Sequence, residues 1–229
     1  MTTRSYTVHA VAAPPPLEGE FAGGPWAKAE EGNVDRFWPA GSDHRPDVRF
    51  RVLHDAANVY VRFQVADRYV RAVQTAYQGS VCTDSCVEFF VRPKAGAGYF
   101  NFEMNAGGTL LLYYIEDAAR VPGGFAKFRP VPEEWARRIR VWHSLPAVIE
   151  PEMPGPVTWQ VAYAVPVALF EAHTGPLGSI GGQTWRANFF KCADKTSHPH
   201  WATWSPITAL NFHLPECFGE LRLEEGLRG

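Results

Sequence analysis

No apolar run in the 229-residue sequence approaches the ~20 residues that a membrane-spanning helix needs. We therefore expect no membrane partner. The N-terminal stretch MTTRSYTVHAVAAPPPLEG also lacks the apolar segment of a secretory signal. As it stands the sequence predicts a cytoplasmic protein, whereas a sequence trimmed of its export signal would belong to a secreted one.

The sequence also lacks an excess of charge of either sign. Lys and Arg number 22 and Asp and Glu number 24, so the net charge at pH 7 is -2. The densest basic run is RRIR at 137–140, which is typical of a solvated strand face. Because nucleic acids attract clustered basic residues, we expect no nucleic-acid partner. The sequence does not specify an oligomeric state.

Cysteine is scarce, with four residues in the chain. That is too few for a disulfide scaffold. Cys82 and Cys86 lie too far apart along one extended segment to bridge each other easily. Cys192 and Cys217 could be spatial neighbours, but the sequence does not fix their pairing. Because no C-x-x-C spacing is present, a zinc site built from these four cysteines is not expected.

Helical signals are weak as well. The 19 prolines and 20 glycines divide the chain into short segments. Apolar and polar residues alternate within these segments, which is typical of strands with one buried face. Short helices are predicted at 132–138 and at 166–172, where Pro166 suits a first helical turn. The predicted strands are 48–53, 59–67, 86–92, 98–105, 109–115, 137–143, 157–165, 185–192 and 218–223.

These short strands, without strand–helix alternation, predict an all-β fold. We expect an antiparallel β-sandwich of the jelly-roll or immunoglobulin-like kind, with one or two short helices. Residues 1–24, which are rich in Pro, Gly and Ala, are interpreted as an extended leader. Residues 25–229 are interpreted as a single sandwich domain, because no linker divides them.

The segment CVEFFV places a carboxylate in an apolar strand. With a period of two, Val87, Phe89 and Val91 share the face that we assign to the core, and Glu88 lies on the opposite face. The next strand divides in the same way. In a hairpin of the two strands, Glu88 would lie beside the polar residues of the second strand. These residues are Asn101, Glu103 and Asn105.

The strand at 185–192 could add to this polar surface, with Asn188 on one face and Lys191 on the other, and both are candidate ligand-binding residues. A sheet face that is rich in amides and short of long charged side chains favours a ligand floor over a solvated surface. The alternative interpretation is a satisfied polar network beneath a covering loop.

Trp201 and Trp204 lie in HPHWATWSPI, a loop that contains Pro and His. Rigid aromatic side chains on loops commonly recognise ring-shaped ligands. The apolar face of a sugar ring packs on an indole, while carboxylates and amides bond to its hydroxyl groups. The pattern therefore favours a carbohydrate ligand. The alternative is that one or both tryptophans close the end of the core.

Five motifs occur in an order that resembles a known family. They are TDSCVEFFV, NFEMNAGGT, WQVAYAVP, ANFFKCAD and WATWSPI…NFHLPECFGELRL. Together they resemble the carbohydrate-binding family-9-like proteins, which are relatives of the family-9 modules attached to xylanases. The resemblance covers nearly the whole chain from about residue 25. It implies a β-sandwich that binds oligo- or polysaccharides, in the modules at reducing chain ends, without catalysis.

The resemblance also implies a site. In the family modules a sugar lies between two tryptophans, and a glutamate in the D-S-V-E strand bonds to its hydroxyl groups; Glu88 matches that glutamate. This chain has no tryptophan directly before that strand, where Tyr77 is the nearest aromatic residue. The family's arginine falls near Asn101 or Glu103, and neither is basic. The resemblance further implies a structural calcium, for which the sequence shows no run of spaced Asp and Asn ligands.

An enzyme is the first alternative that the residues leave open. Glu88 and Glu103 could form the acid/base pair of a glycoside-acting enzyme if their carboxyl groups lay roughly 5–9 Å apart. Two carboxylates on a flat sheet face usually bind rather than cleave, and the sequence has no G-x-S-x-G motif. We therefore expect no catalytic residue.

Metal and haem sites are further alternatives. A b-type haem would need Met104 or Met153 as a ligand, but Met104 lies on the apolar face of its strand. His198 and His200 could bind a metal if a third ligand came from elsewhere. Surface histidines without such a role are far commoner, so neither site is expected.

Overall fold

The computed structural model describes residues 4–226, and within them the chain forms two β-sheets packed face to face. This confirms the predicted β-sandwich. No helix in this part of the chain has the length and apolarity to cross a membrane. The strands, in chain order, are β1 (Ser5–Ala10), β2 (Gly32–Asn33), β3 (Arg36–Phe37), β4 (Asp47–His54), β5 (Asn58–Asp67), β6 (Val70–Ala72), β7 (Cys86–Arg92), β8 (Tyr99–Asn105), β9 (Leu110–Val121), β10 (Gly124–Pro130), β11 (Arg140–His143), β12 (Ile149–Met153), β13 (Val157–Pro166), β14 (Thr184–Cys192), β15 (Trp201–Thr203) and β16 (Gly219–Leu223).

The helices are short, as predicted. Helix α1 (Glu133–Ala136) and helix α2 (Val167–Thr174) fall where the sequence predicts them. Pro166 precedes the first turn of α2, and its backbone is extended. Short 3-10 helices cover Gly24–Lys28, Val81–Thr83 and Pro215–Cys217.

The first sheet has the strand order β10-β9-β8-β7-β14-β16-β1, and β15 and β3 extend it beside the end of β14. The second sheet has the order β1-β4-β5-β13-β11, with β2 paired to β4. Strands β6 and β12 form a separate two-stranded ribbon. The pairs within each sheet are antiparallel except those of β1.

Strand β1 belongs to both sheets. Its residues 5–8 pair in parallel with β16, and its residues 9–10 pair in parallel with β4. From the sequence we expected an extended leader over 1–24, but β1 contributes Tyr6 and Val8 to the core. The strand was missed because the segment was judged by its composition, which the proline run after β1 dominates. The boundary at residue 24 therefore does not follow the structure, in which the sandwich begins at β1.

Aromatic rings fill the space between the sheets. Phe50 of β4 stacks on Phe189 of β14 with ring centroids 3.6 Å apart, and Phe89 of β7 stacks on Phe189 at 5.0 Å. Each fully buried phenylalanine contributes about 1.5–3 kcal/mol relative to an exposed one. Val87 and Val91 lie in the same core, as the period of two predicts.

The outer face of the first sheet carries a second apolar layer. Residues 207–218, here called the covering segment, pack over it, and Phe125 of the edge strand β10 joins the same layer. The face is therefore less polar than we expected from the sequence, and apolar side chains surround its polar ones. The buried residues of this layer are Val81, Cys86, Phe90, Tyr99, Leu111, Ile115, Phe125, Phe190, Cys192, Phe212 and Phe218.

Candidate functional site

A pocket of about 210 Å³ opens between this outer face and the covering segment. Drug-sized ligand sites usually measure about 300–1,000 Å³, so this pocket suits a single ring-sized group. Its floor comes from β7, β8 and β14, and its wall comes from the covering segment. The lining residues are Cys82, Glu88, Glu103, Arg120, Cys192, Asp194, Trp201, Leu210, Asn211, Phe212 and His213.

Two carboxyl groups form the polar part of the floor. Glu88 of β7 and Glu103 of β8 are direct cross-strand partners, and they are 2% and 6% exposed. Glu103 Oε1 accepts a hydrogen bond of 2.8 Å from the Asn101 amide, and Glu88 Oε1 accepts one of 3.1 Å from the Cys192 thiol. Among residues 4–226, Glu88 Oε2 is buried without a hydrogen-bond partner.

Burial and mutual repulsion keep protons on this pair. Burial, followed by the charge of Glu103, raises the pKa of Glu88 well above its usual range. Burial raises the pKa of Glu103 to about 7, although the Asn101 amide acts in the opposite direction. Like charges directly opposite each other in a sheet are destabilising, so the two carboxyl groups do not both ionise readily. A protonated carboxyl group can both donate and accept a hydrogen bond.

Trp201 and Asp194 form the mouth of the pocket next to β14. Trp201 begins β15 and is half-buried, and its indole Nε1 donates a hydrogen bond of 2.8 Å to Asp194 Oδ1. The bond fixes the indole plane against the second apolar layer. The structure thus places one of the two predicted tryptophans at the pocket.

Arg120 contributes a positive charge that the sequence analysis missed. It lies on β9, and its guanidinium group is 4.1 Å from the centre of the Phe125 ring. Its charge lowers the pKa of Glu103, against the larger effect of burial. The predicted strand at 109–115 ends too early to include it, because β9 continues to Val121.

The covering segment supplies the opposite wall. Phe212 stacks on Phe190 of β14, with ring centroids 4.2 Å apart and an angle of 15° between the planes. A hydrogen bond of 2.9 Å joins His213 Nδ1 to the hydroxyl of Tyr99. These contacts hold the segment in place. They link residues far apart in the chain, and no local pattern in the sequence reveals them.

Two predicted floor amides serve the fold instead of the pocket. The Asn105 amide donates to Asp84 Oδ2 at 2.9 Å, and its carbonyl oxygen accepts from the backbone of Gly107 and Thr109. Asn188 accepts from the backbone N–H of Ser205 at 2.8 Å and donates back to the carbonyl of the same residue at 3.1 Å. Both amides are fully engaged away from the pocket, so we leave them out of the candidate site.

Lys191 points to the other side of β14, away from the pocket. It is 0% exposed, donates to His200 Nε2 at 2.9 Å and lies 3.7 Å from Asp67 Oδ2. His44 Nε2 is 2.7 Å from Asp67 Oδ1. We call His44, Asp67, Lys191 and His200 the interior cluster. From the sequence we expected Lys191 to belong to the candidate site. Its buried position on the other side of β14 corrects that expectation.

The interior cluster also bears on the predicted histidine pair. His200 belongs to it, whereas His198 stacks on Tyr69 with ring centroids 3.6 Å apart. His44, Asp67 and His200 have ligand-type atoms within 4.8 Å of one another. The ammonium group of Lys191 already provides the positive charge that a metal would bring there. Within the described residues we therefore assign no metal to this cluster.

Neither cluster of ligand-type side chains in residues 4–226 suits calcium. The first offers two histidine nitrogens and a carboxylate, and the second, formed by Cys86, Glu88 and Cys192, offers two thiols and a carboxylate. Calcium takes six to eight oxygen ligands. These clusters do not fit it, and the calcium implied by the resemblance stays a prediction without an assigned site.

Trp204 lies in the core between the sheets rather than at the pocket. It is 4% exposed and packs edge-on against Phe50 and Phe189. We therefore leave it out of the candidate site, in favour of the alternative that it closes the core. Met104 is also fully buried in this core, on the apolar face of β8.

The comparison with protein families agrees with the motifs. The model of carbohydrate-binding family 9 matches residues 26–223. The chain belongs to carbohydrate-binding family 9. A Bacteroides uniformis ATCC 8492 protein that has been classed as carbohydrate-binding is 32% identical, over 97% of this chain and 100% of its own, with a TM-score of 0.80. No curated protein is similar enough to the chain to be matched.

Two structures of a family 9 module from Caldicellulosiruptor kristjanssonii share the fold of this family 9 protein. The complex with cellotriose is 14% identical, with a TM-score of 0.65 over 99% of this chain and 95% of its own. The complex with glucose is 15% identical, with a TM-score of 0.60 over 97% of each chain. At these identities the similarity shows the fold alone.

Proposed function

We propose that this family 9 protein binds a carbohydrate without catalysis, in the pocket floored by Glu88 and Glu103. The observation that carries the proposal is the buried and unpartnered Oε2 atom of Glu88, a residue that lines a ring-sized pocket beside Trp201. A buried polar atom without a partner costs about 1–3 kcal/mol. A ligand hydroxyl that bonds to this atom recovers that cost.

The other lining groups suit a sugar. Arg120 and Asn211 offer hydrogen-bond donors, and the carboxyl groups of the floor offer acceptors. The half-buried indole of Trp201 offers an apolar surface for a ring face. Because the pocket holds about 210 Å³, we propose that it takes one sugar ring, which is either a free monosaccharide or the last unit of a chain. The predicted second tryptophan is not needed if Phe212 forms the opposite wall.

Calorimetric titration with glucose, xylose and cello-oligosaccharides tests the proposal. We expect saturable binding to the wild type and an affinity loss of about 10–100-fold in Glu88→Gln, because one strong hydrogen bond is weakened. Glu134→Gln, an exposed substitution in α1, is the matched control and leaves the affinity unchanged. Absence of heat with every sugar, in a sample shown to be folded by circular dichroism, overturns the proposal.

Tryptophan fluorescence separates the two predicted tryptophans. We expect sugar to change the emission of the wild type and to leave the emission of Trp201→Ala unchanged, because this indole lies at the pocket. The protein has 8 tryptophans, so the measurement is a difference between variants. If sugar changes the emission of Trp201→Ala as much as it changes that of the wild type, the sugar binds elsewhere.

The paired carboxyl groups raise one catalytic alternative, a glycoside-acting enzyme that uses Glu88 and Glu103. Membership of a carbohydrate-binding family indicates a binding module, and we propose that the pair only binds. We expect aryl glycosides to release no more phenol with the protein than in buffer. Turnover that disappears in both Glu88→Gln and Glu103→Gln would instead assign catalysis to the pair.

A further inference from the structure

Three ligand-type side chains meet at the base of the pocket. Cys86 of β7 and Cys192 of β14 are direct cross-strand partners, and Glu88 follows Cys86 by two residues on the same face. The two sulfur atoms and a carboxylate oxygen all lie within 4.8 Å of one another, and all three residues are buried. All four cysteines of the chain are free thiols. This convergence has no local spacing motif, because the two cysteines lie on strands distant in sequence.

We propose that Cys86, Glu88 and Cys192 form a binding site for a thiophilic divalent cation, of which Zn²⁺ fits best. The site goes beyond sugar binding, since a metal is not needed for a hydroxyl group to bond to Glu88. Two thiolates and one carboxylate leave the fourth position of a tetrahedral ion open. Glu88 and Cys192 both line the pocket, so the open position lies toward it.

The geometry is compatible with zinc. Two Zn–S bonds of ~2.3 Å at the tetrahedral angle separate the sulfur atoms by about 3.8 Å. That separation is within the 4.8 Å that encloses the three ligand atoms. Cys192 Sγ already lies 3.1 Å from Glu88 Oε1, and this distance lengthens to about 3.5 Å when a sulfur and an oxygen bind one tetrahedral zinc ion. Small side-chain rotations complete the site without any change in strand register.

The unpartnered oxygen of Glu88 is an independent indication of a ligand. The residue is 2% exposed, and within the described part of the chain its Oε2 atom has no hydrogen-bond partner. A buried carboxyl group with one idle oxygen can coordinate an ion through either atom. The softness of two sulfur ligands selects zinc, cobalt or copper(I) over calcium and magnesium. Binding releases the protons of the two thiols and of the carboxyl group, so uptake strengthens as pH rises.

The surrounding charges are consistent with a bound cation. Glu103 and Asp194 also line the pocket, and Arg120 is the one arginine or lysine among its lining residues. Two thiolates and Glu88 carry three negative charges against two positive charges of zinc, which leaves one negative charge. Arg120 at the mouth can offset this remaining charge.

Titration of the chelator-treated full chain with Co²⁺ tests the site. We expect a thiolate-to-cobalt charge-transfer band that saturates at one equivalent and disappears on addition of Zn²⁺. Cys86→Ser and Cys192→Ser should each weaken cobalt binding at least 10-fold. Cys217→Ser, which lies in the 3-10 helix Pro215–Cys217 outside the cluster, is the matched control and should retain the band.

Absence of the band in folded wild type, or a band that persists in both Cys86→Ser and Cys192→Ser, excludes the site. If a serine variant fails to fold, Glu88→Gln keeps the side-chain volume and should still weaken cobalt binding. Zn²⁺ should also raise the Tm of the wild type. Sugar titration of the metal-free wild type is a separate measurement, so failure of either proposal is distinguishable from failure of the other.

Discussion

Strand β14 separates two polar clusters that differ in how well their groups are satisfied. On its inner side, Lys191 bonds to His200 and lies near Asp67, which in turn bonds to His44. On its outer side, the carboxyl groups of the pocket face each other across β7 and β8, and one oxygen is idle. Both clusters are buried, so exposure alone does not separate a structural cluster from a binding one.

The pKa values of their carboxyl groups show the difference. Burial raises the pKa of Asp67, but Lys191 and His44 outweigh it and bring the value to about 2. Burial brings the pKa of Glu103 to about 7, and the opposing effects of the Asn101 amide and of Arg120 do not outweigh it. A buried charge with its partners in place is typical of a structural role, whereas a buried acid without them is typical of a functional site.

The largest expected effect comes from breaking the interior cluster. Lys191→Met leaves the Asp67 carboxylate without its buried cation, and we expect the free energy of unfolding to fall by about 3–5 kcal/mol. Urea unfolding followed by circular dichroism measures the change. Lys195→Met, an exposed substitution nearby, should change it by less than about 0.5 kcal/mol. Equal effects of the two substitutions would contradict a structural role for the cluster.

Acid should weaken the same cluster to a smaller extent. Burial, followed by the charge of Lys191, lowers the pKa of His200 to about 3 from an ordinary value near 6.5. The unfolded chain therefore binds a proton below about pH 6.5 that the folded chain does not bind until about pH 3, so stability is lost as pH falls through this window. We expect a loss of about 2–3 kcal/mol between pH 7 and pH 4 from this residue.

Two measurements check the acid effect. Unfolding free energies at pH 7 and pH 4, compared between the wild type and His200→Asn, give the part of the loss that His200 contributes. NMR of the imidazole C–H signals shows whether His200 stays neutral at pH 5. Assignment comes from the missing signal in His200→Asn. A His200 signal that titrates near pH 6.5 would show that the cluster is open to water.

The smallest expected effect on stability comes from the pocket. Burial holds the pKa of Glu88 well above its usual range, so the unfolded chain loses this proton at a lower pH than the folded chain does. Stability contributed by this group therefore falls as pH rises above about 4. Glu88→Gln removes that penalty, and we expect the free energy of unfolding at pH 7 to rise by up to about 1 kcal/mol. Destabilisation by more than 2 kcal/mol would show that Glu88 is structural.

The period of two was enough to predict the faces of the central strands. It placed Val87 and Phe89 in the core and Glu88 on the outer face, and the structure agrees. The same period puts Lys191 on the sheet face of Phe189, opposite to the face of Phe190, and its interior position agrees with this. What the pattern could not show was whether a polar side chain on a given face has its partners. That depends on residues from β5 and from the loops.

Long-range contacts account for what the sequence analysis did not predict. Arg120 reaches the pocket because β9 continues beyond its apolar part, and Phe212 reaches it because the covering segment folds back over the sheet. Trp201 and Trp204 are three residues apart in one motif, yet they lie on opposite sides of the first sheet. The sequence analysis interpreted this segment as a loop, whereas Trp201 begins β15, so the period of two was not applied to these tryptophans.

The position of β1 between β4 and β16 has a consequence for how the protein folds. The first of the strands in residues 4–226 has to pair with the last of them, and it joins both sheets while it does so. Contacts between such distant segments raise the contact order, which slows folding. During synthesis the sandwich cannot close until β16 has left the ribosome, so the apolar edges of β4 and β14 stay exposed meanwhile. Chaperone dependence in the cell should therefore be greatest before β16 has emerged.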